Sequence, residues 1–168
     1  MFNVAIITLS DKGSTGERED ITGKKLTEFI ENQESYSVKY YNMIPDDKER
    51  LKDEIIRLCD SNKIDLILTN GGTGFSKRDI TPEATKEVIE KEIPGISEYI
   101  RMKSSEIVKR AILSRAVSGI RKNTIIINLP GSPKGAIESI EFVIDILGHG
   151  IDILKGDATE CAKDRKDI

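Results

Sequence analysis

The segment LTNGGTGFSKRDITPEAT, residues 68–85, gathers residue types able to hold an anion and a metal ion. Gly71, Gly72 and Gly74 follow directly on the apolar run Ile64–Thr69, with Thr73 among them. Glycine at a strand end permits positive φ and lets a ligand lie against the backbone, and successive amides in such a turn form an anion-binding nest. A tight strand-to-helix turn needs the same residues, so a phosphate cradle and a plain turn are both open, and three glycines around a threonine favour the cradle. The order of residues is neither GxxxxGK[ST] nor GxGxxG. Asp79 follows Lys77 and Arg78 in the loop. It reads either as a turn-stabilising Asx residue or as a magnesium ligand, since Mg²⁺ takes one or two carboxylates together with phosphate oxygens. Thr81, Pro82 and Glu83 suit N-cap, first helical position and first-turn acid, and that role accounts for all three.

Three further strand-end loops carry similar chemistry, and so does one later segment. In MIPDDKER, residues 43–50, Asp46 and Glu49 have capping-box spacing, which makes Asp46 a helix cap first and a second carboxylate partner for Asp79 second. In NLPGSPKGA, residues 128–136, Gly131 permits a sharp turn, Ser132 can cap and Pro133 opens a helix. The amides of that helix start, with Lys134, suit an anion as well as they suit a β-turn-α junction. TLSDKGSTGERED, residues 8–20, puts Ser10 and Asp11 at the end of the first strand, in a polar loop expected to move. ILSRAVSGIRKN, residues 112–123, supplies Ser114, Arg115, Arg121 and Lys122, whose cations are surface charge or partners of an anionic substrate.

These loops need a frame. Phe2–Leu9, Ile64–Thr69 and Thr124–Leu129 are short Ile/Val-rich runs without alternation, which suits strands buried on both faces of a parallel sheet. Tyr36–Met43 is more polar and reads as an outer strand. Leu51, Ile55, Leu58 and Cys59 have helical spacing, and Leu26, Phe29 and Ile30 mark an earlier helix. Two more are expected over 82–93 and 95–108, divided by Pro94-Gly95. Ile137, Ile140, Ile144, Leu147, Ile151 and Leu154 keep three-four spacing, so the last helix is expected to run on through Gly148 and Gly150. Strands alternating with helices predict an α/β domain, mostly parallel, over residues 1–156, with a frayed tail at 157–168. In such sheets ligands bind beyond the carboxyl ends of the strands, where the four loops fall.

Composition sets bounds. The chain has 168 residues, 38% apolar and 33% charged, with a net charge of −3. That charge argues against bulk nucleic-acid binding, and no stretch approaches the ~20 apolar residues of a membrane span. No signal peptide is read at residues 1–9. Cys59 and Cys161 are expected to be free thiols in a reducing cytoplasm. One histidine, His149, excludes Cys/His zinc patterns and a Ser-His-Asp triad. Catalysis would rest on carboxylates, cations, backbone amides and an oxygen-bound metal.

GGTGFSKRDITPEAT together with NLPGSPKGA resembles the molybdenum-cofactor biosynthesis family of Mog/MoaB type, in its molybdopterin adenylyltransferase branch. TLSD, IPDD, LSRAVSGIR and LPGSP stand in family order, so the resemblance covers residues 2 to about 160. It implies a three-layer α/β/α sandwich with a mostly parallel central sheet, of molybdopterin-binding-domain type, and a homotrimer. It also implies a Mg²⁺-dependent reaction in which molybdopterin and ATP give adenylylated molybdopterin and pyrophosphate, with a molybdenum-insertion protein as a candidate partner. Matched by position, the family's catalytic, metal-holding aspartates are Asp46 and Asp79. Its glycine loop is Gly71, Gly72, Thr73 and Gly74. Its LPG turn is Leu129, Pro130 and Gly131, expected to line the site with Ser132, and Ser114 and Arg115 match its LSR segment. The competing readings are a molybdopterin-binding carrier without catalysis and a nucleotide-binding regulator.

Overall fold

The computed structural model describes residues 1–156. The expected tail at 157–168, with Cys161, lies outside the described residues. The chain runs β1 (Phe2–Leu9), α1 (Asp11–Ser14), α2 (Ile21–Glu31), β2 (Tyr36–Ile44), α3 (Lys48–Asp60) and β3 (Leu66–Asn70), then α4 (Thr81–Val88), β4 (Lys91–Glu92) and α5 (Pro94–Ile107). A 3-10 turn at Lys109–Leu113 leads to β5 (Ser118–Arg121), β6 (Thr124–Leu129), α6 (Pro133–Glu141) and α7 (Ile144–Lys155).

The unbroken apolar runs become interior strands because helices cover both faces. Val4 and Ile6 of β1, Leu66 and Leu68 of β3, and Ile125 and Ile127 of β6 face one core, closed by α2, α6 and α7. The alternate residues Ala5, Ile7, Ile67 and Ile126 face a second core, closed by α3 and α4. Each such isoleucine or leucine, fully buried, contributes roughly 1.5–3 kcal/mol. The result is the α/β domain that the alternating pattern predicts, with the three-layer α/β/α arrangement that the resemblance implies.

The six strands lie in the order β2-β1-β3-β6-β5-β4. β2, β1, β3 and β6 are mutually parallel, and β5 runs antiparallel to both β6 and β4. The polar strand β2 is an edge, as its composition predicts. The chain leaves β1 toward one edge and resumes at β3 on the other side of β1. The carboxyl ends of β1 and β3 therefore flank a topological switch point, where open α/β sheets form a crevice.

Three boundaries differ from the sequence-based expectation. The helix expected over 82–93 stops at Val88, because residues 91–92 pair with β5 instead. Gly119 permits that pairing: a β-carbon there would stand 2.7 Å from the Lys91 carbonyl oxygen. Pro94 opens α5 rather than separating two helices. The last helical stretch does continue through Gly148 and Gly150, but it resets at Phe142–Val143, which sinks Val143 fully into the core. Cys59 is a buried free thiol whose pKa burial pushes up to about 11.

Candidate active site

The glycine loop begins where β3 ends. Gly71 and Gly72 adopt φ of +101° and +65°, a region only glycine enters without strain. Gly71 also lies against its neighbours: a β-carbon on it would stand 2.6 Å from the Leu9 carbonyl oxygen. Its amide donates to the Leu129 carbonyl at 3.2 Å, so the ends of β1, β3 and β6 meet at this residue.

All four loop carbonyls turn into the protein. Gly71 O accepts from the Thr81 hydroxyl at 2.8 Å, and Gly72 O from the Thr81 amide at 3.1 Å. Thr73 O accepts from the Arg115 amide at 3.0 Å, and Gly74 O from Arg115 Nε at 2.6 Å. The amides of Gly72, Thr73 and Gly74 meet no protein acceptor among the described residues. Gly72 and Gly74 are part-exposed, so the loop keeps spare donors while its acceptors are spent, the polarity an anion requires.

Asp46 borders this loop at Gly72 and Asp79 borders it at Gly74. A β-carbon on Gly72 would stand 3.5 Å from Asp46 Oδ1, and one on Gly74 would stand 2.9 Å from Asp79 Oδ2. Asp79 Oδ2 accepts the Ser76 amide at 2.8 Å, so the turn-stabilising reading is realised, and its carboxylate still borders the loop. The cap of α3 is Asp47, which accepts from the Arg50 amide, and not Asp46 as the capping-box spacing suggests. That one-residue shift leaves Asp46 to other partners. Its Oδ2 accepts the Asp11 amide at 3.1 Å, while its own amide donates to Asp11 Oδ1 at 3.0 Å. Burial raises the pKa of Asp46, and the negative charges of Asp11 and Asp79 add to the rise.

Among the described residues no cluster of three or more His, Cys, Asp or Glu is placed to hold a metal. Two carboxylates beside spare amides instead suit a hard cation that completes its shell with phosphate oxygens. The charge repulsion felt by Asp46 fits such a cation, which would relieve it.

The remaining candidates divide. Ser114, Pro130, Ser132 and Lys134 line a pocket of about 320 Å³, together with Arg101 and Asn128. Arg115, Asp79, Lys77 and Phe75 line a second, open cavity of about 490 Å³. The adjacent residues 114 and 115 thus border different spaces. Gly131 packs against the loop, with a β-carbon position 3.2 Å from the Gly71 α-carbon, and its carbonyl accepts the Thr22 hydroxyl at 2.8 Å. Ser132 caps α6 as expected.

Four side chains have other duties than those expected. Leu129 does not line the pocket: it is fully buried in the core and acts through its carbonyl. The Ser10 hydroxyl caps the short α1, accepting from Gly13. Arg115 spends its guanidinium on protein, donating to Gly74 O, to Asp79 O at 2.7 Å and to the Glu83 carboxylate. Thr81 is the first residue of α4, after Ile80, and its buried hydroxyl pins the glycine loop instead of capping the helix. Nothing local marks Thr81 or Thr22 for these contacts. The bridge from Arg78 to Asp11 likewise joins residues far apart in sequence.

Residues 5–149 match the family described as Probable molybdopterin binding domain. The chain is 38% identical over 156 residues to a molybdopterin adenylyltransferase of Helicobacter pylori strain J99, covering 92% of this chain and 89% of that one. Among solved structures it is similar to the molybdopterin biosynthesis enzyme MoaB of Thermus thermophilus, with TM-score 0.87, 44% identity, and coverage of 93% and 98%. It is also similar to the tungsten cofactor synthesizing protein MoaB of Pyrococcus furiosus, with TM-score 0.81, 35% identity, and coverage of 93% and 96%.

Proposed function

The chain belongs to the molybdopterin-binding-domain family, and from that premise we propose that it transfers an adenylyl group from ATP to molybdopterin, in molybdenum cofactor biosynthesis. A phosphate oxygen of molybdopterin bonds to the α-phosphorus of ATP, the bond from that phosphorus to the bridging oxygen breaks, and pyrophosphate leaves. One observation carries this reading. The amides of Gly72, Thr73 and Gly74 are left without a protein acceptor beside two carboxylates, while the carbonyls of the loop 71–74 are tied back.

The attacking phosphate is already ionised near neutral pH, so the chain need supply no general base. Its work is positioning and charge stabilisation, the dominant contributions in phosphoryl transfer. The glycine-loop amides bind the nucleotide phosphates, and Lys77, in the cavity beside Asp79, adds positive charge. The pocket beside Ser114, Ser132 and Lys134 receives molybdopterin, and the cavity beside Arg115 and Asp79 takes the nucleotide. Asp46 and Asp79 would hold Mg²⁺, whose chemistry there is neutralisation of phosphate charge. The acceptor is a phosphate of the pterin, so the reading is the same whether the finished cofactor carries molybdenum or tungsten. We assign the protein to the cytoplasm, as a homotrimer with residues 1–156 as one domain. No helix among the described residues is long and apolar enough to cross a membrane.

The test uses labelled ATP, with Mg²⁺ and with or without molybdopterin. Pyrophosphate released only when molybdopterin is present is the expected result, and binding without release supports the carrier alternative. Asp46→Asn and Asp79→Asn should each lower turnover on the order of 100-fold, about 2.7 kcal/mol of barrier. Wild-type rates in both variants would overturn the assignment.

A further inference from the structure

We propose that the Asp11–Arg78 ion pair is a positioning strap that sets Asp46 and Asp79 relative to one another; the role rests on the adenylyl-transfer reading. Asp46 and Asp79 stand on loops after β2 and β3, and those strands are not neighbours, because β1 lies between them. The loop after β1 carries Asp11 into the gap. On one side, Asp11 and Asp46 exchange amide-to-carboxylate hydrogen bonds of 3.0 and 3.1 Å, which fix the roll of the Asp46 carboxylate. Its Oδ2 is held by Asp11, and its Oδ1 borders Gly72. On the other side, Arg78 Nε donates to Asp11 Oδ2 at 3.0 Å, and Nη2 donates to Oδ1 at 2.6 Å and to Oδ2 at 2.8 Å. Arg78 is the residue before Asp79. The hydrogen-bonded partner of one acid is therefore gripped by the covalent neighbour of the other.

A forked guanidinium–carboxylate contact fixes direction as well as distance, which a lysine at position 78 would not do. Both side chains are well exposed, at 62% and 45%, where an ion pair adds little stability. Their contribution is geometric: the strap holds two like-charged carboxylates beside the loop before any cation arrives.

A double-mutant cycle on the full chain tests this, with Asp11→Asn, Arg78→Gln and the double variant. Each single change should lower kcat/KM roughly 10- to 100-fold, the scale for residues that orient metal ligands. The double variant should be no worse than the poorer single, because both break one strap. The Mg²⁺ concentration for half activation should rise in all three, with KM for molybdopterin unchanged. Losses that multiply in the double variant, or a raised KM for ATP in Arg78→Gln beside a wild-type Asp11→Asn, would overturn the strap and make Arg78 a direct substrate contact. A second readout does not depend on turnover. Without ligands, amide exchange at Asp46 and Ser76 should speed up in Arg78→Gln. Unchanged exchange there rejects the strap even if the wild-type protein transfers no adenylyl group, whereas faster exchange in an inactive protein would count only against the reaction.

Discussion

Gly72 sits at φ +65° with its α-carbon turned toward the Thr81 hydroxyl and the Asp46 carboxylate. A methyl group there meets the hydroxyl that pins the loop, in a backbone region that costs a side chain about 1–2 kcal/mol. Gly72→Ala should therefore lower stability by at least that amount in urea unfolding, and should cut molybdopterin-dependent pyrophosphate release by on the order of 100-fold, because a small displacement of positioning groups is enough for that. Asp46 shows the same sensitivity to a single position. With Asp47 as the cap, Asp46 is free to bond the Asp11 amide and stand beside Gly72. The two aspartates are adjacent and of one type, and the spacing to Glu49 points to Asp46 although Asp47 is the one that faces the helix amides.

At the scale of elements, β5 decides what Arg115 does. This strand runs antiparallel to β6, so the chain enters it at the end of the sheet where the parallel strands finish. Residues 114 and 115 arrive there as a consequence, and Arg115 reaches across the loop to Gly74 O, Asp79 O and Glu83. A lysine carries the same charge on one nitrogen and cannot span these acceptors. Arg115→Lys should reduce turnover about 10- to 100-fold, as loss of an orienting contact does. A melting curve run in parallel should show a much smaller change, and a collapse of the melting temperature would mark Arg115 as a stability residue instead. β5 is four residues long and carries a glycine, too short and too irregular to announce itself by alternation.

Across the whole molecule, one sheet is closed by two separate cores, and the edge strand β2 needs its own anchor. The Tyr36 hydroxyl supplies one, donating to the Ile144 carbonyl in α7 at 2.8 Å. Burial pushes its pKa from 10.0 up to about 12. In the unfolded chain the phenol loses its proton first, so the contribution to stability is full below pH 10 and is lost as pH rises from 10 through about 12. Tyr36→Phe should cost about 1 kcal/mol below that window and flatten the fall in stability within it, as measured by urea unfolding from pH 8 to 12. A fall of unchanged steepness would assign the alkaline limb to other groups, such as Cys59, whose thiol is pushed up to about 11.

Much of this was legible in the chain itself. The runs 2–9 and 124–129 are strands, the polar run read over Tyr36–Met43 is an edge that extends one residue further, and the glycine loop falls at a strand end, because burial on two faces and helical or strand periodicity are local demands written into local residue order. The motifs around residues 71–85 and 128–136 carried the family resemblance for the same reason. What the tertiary structure decided is which distant groups meet: Asp46 with Asp11, Arg78 with Asp11, Arg115 with the carbonyls of a loop some forty residues earlier, and Thr81 with Gly71. Those meetings follow from strand order and strand direction, which are set by long-range pairing, and no periodicity within one segment encodes them.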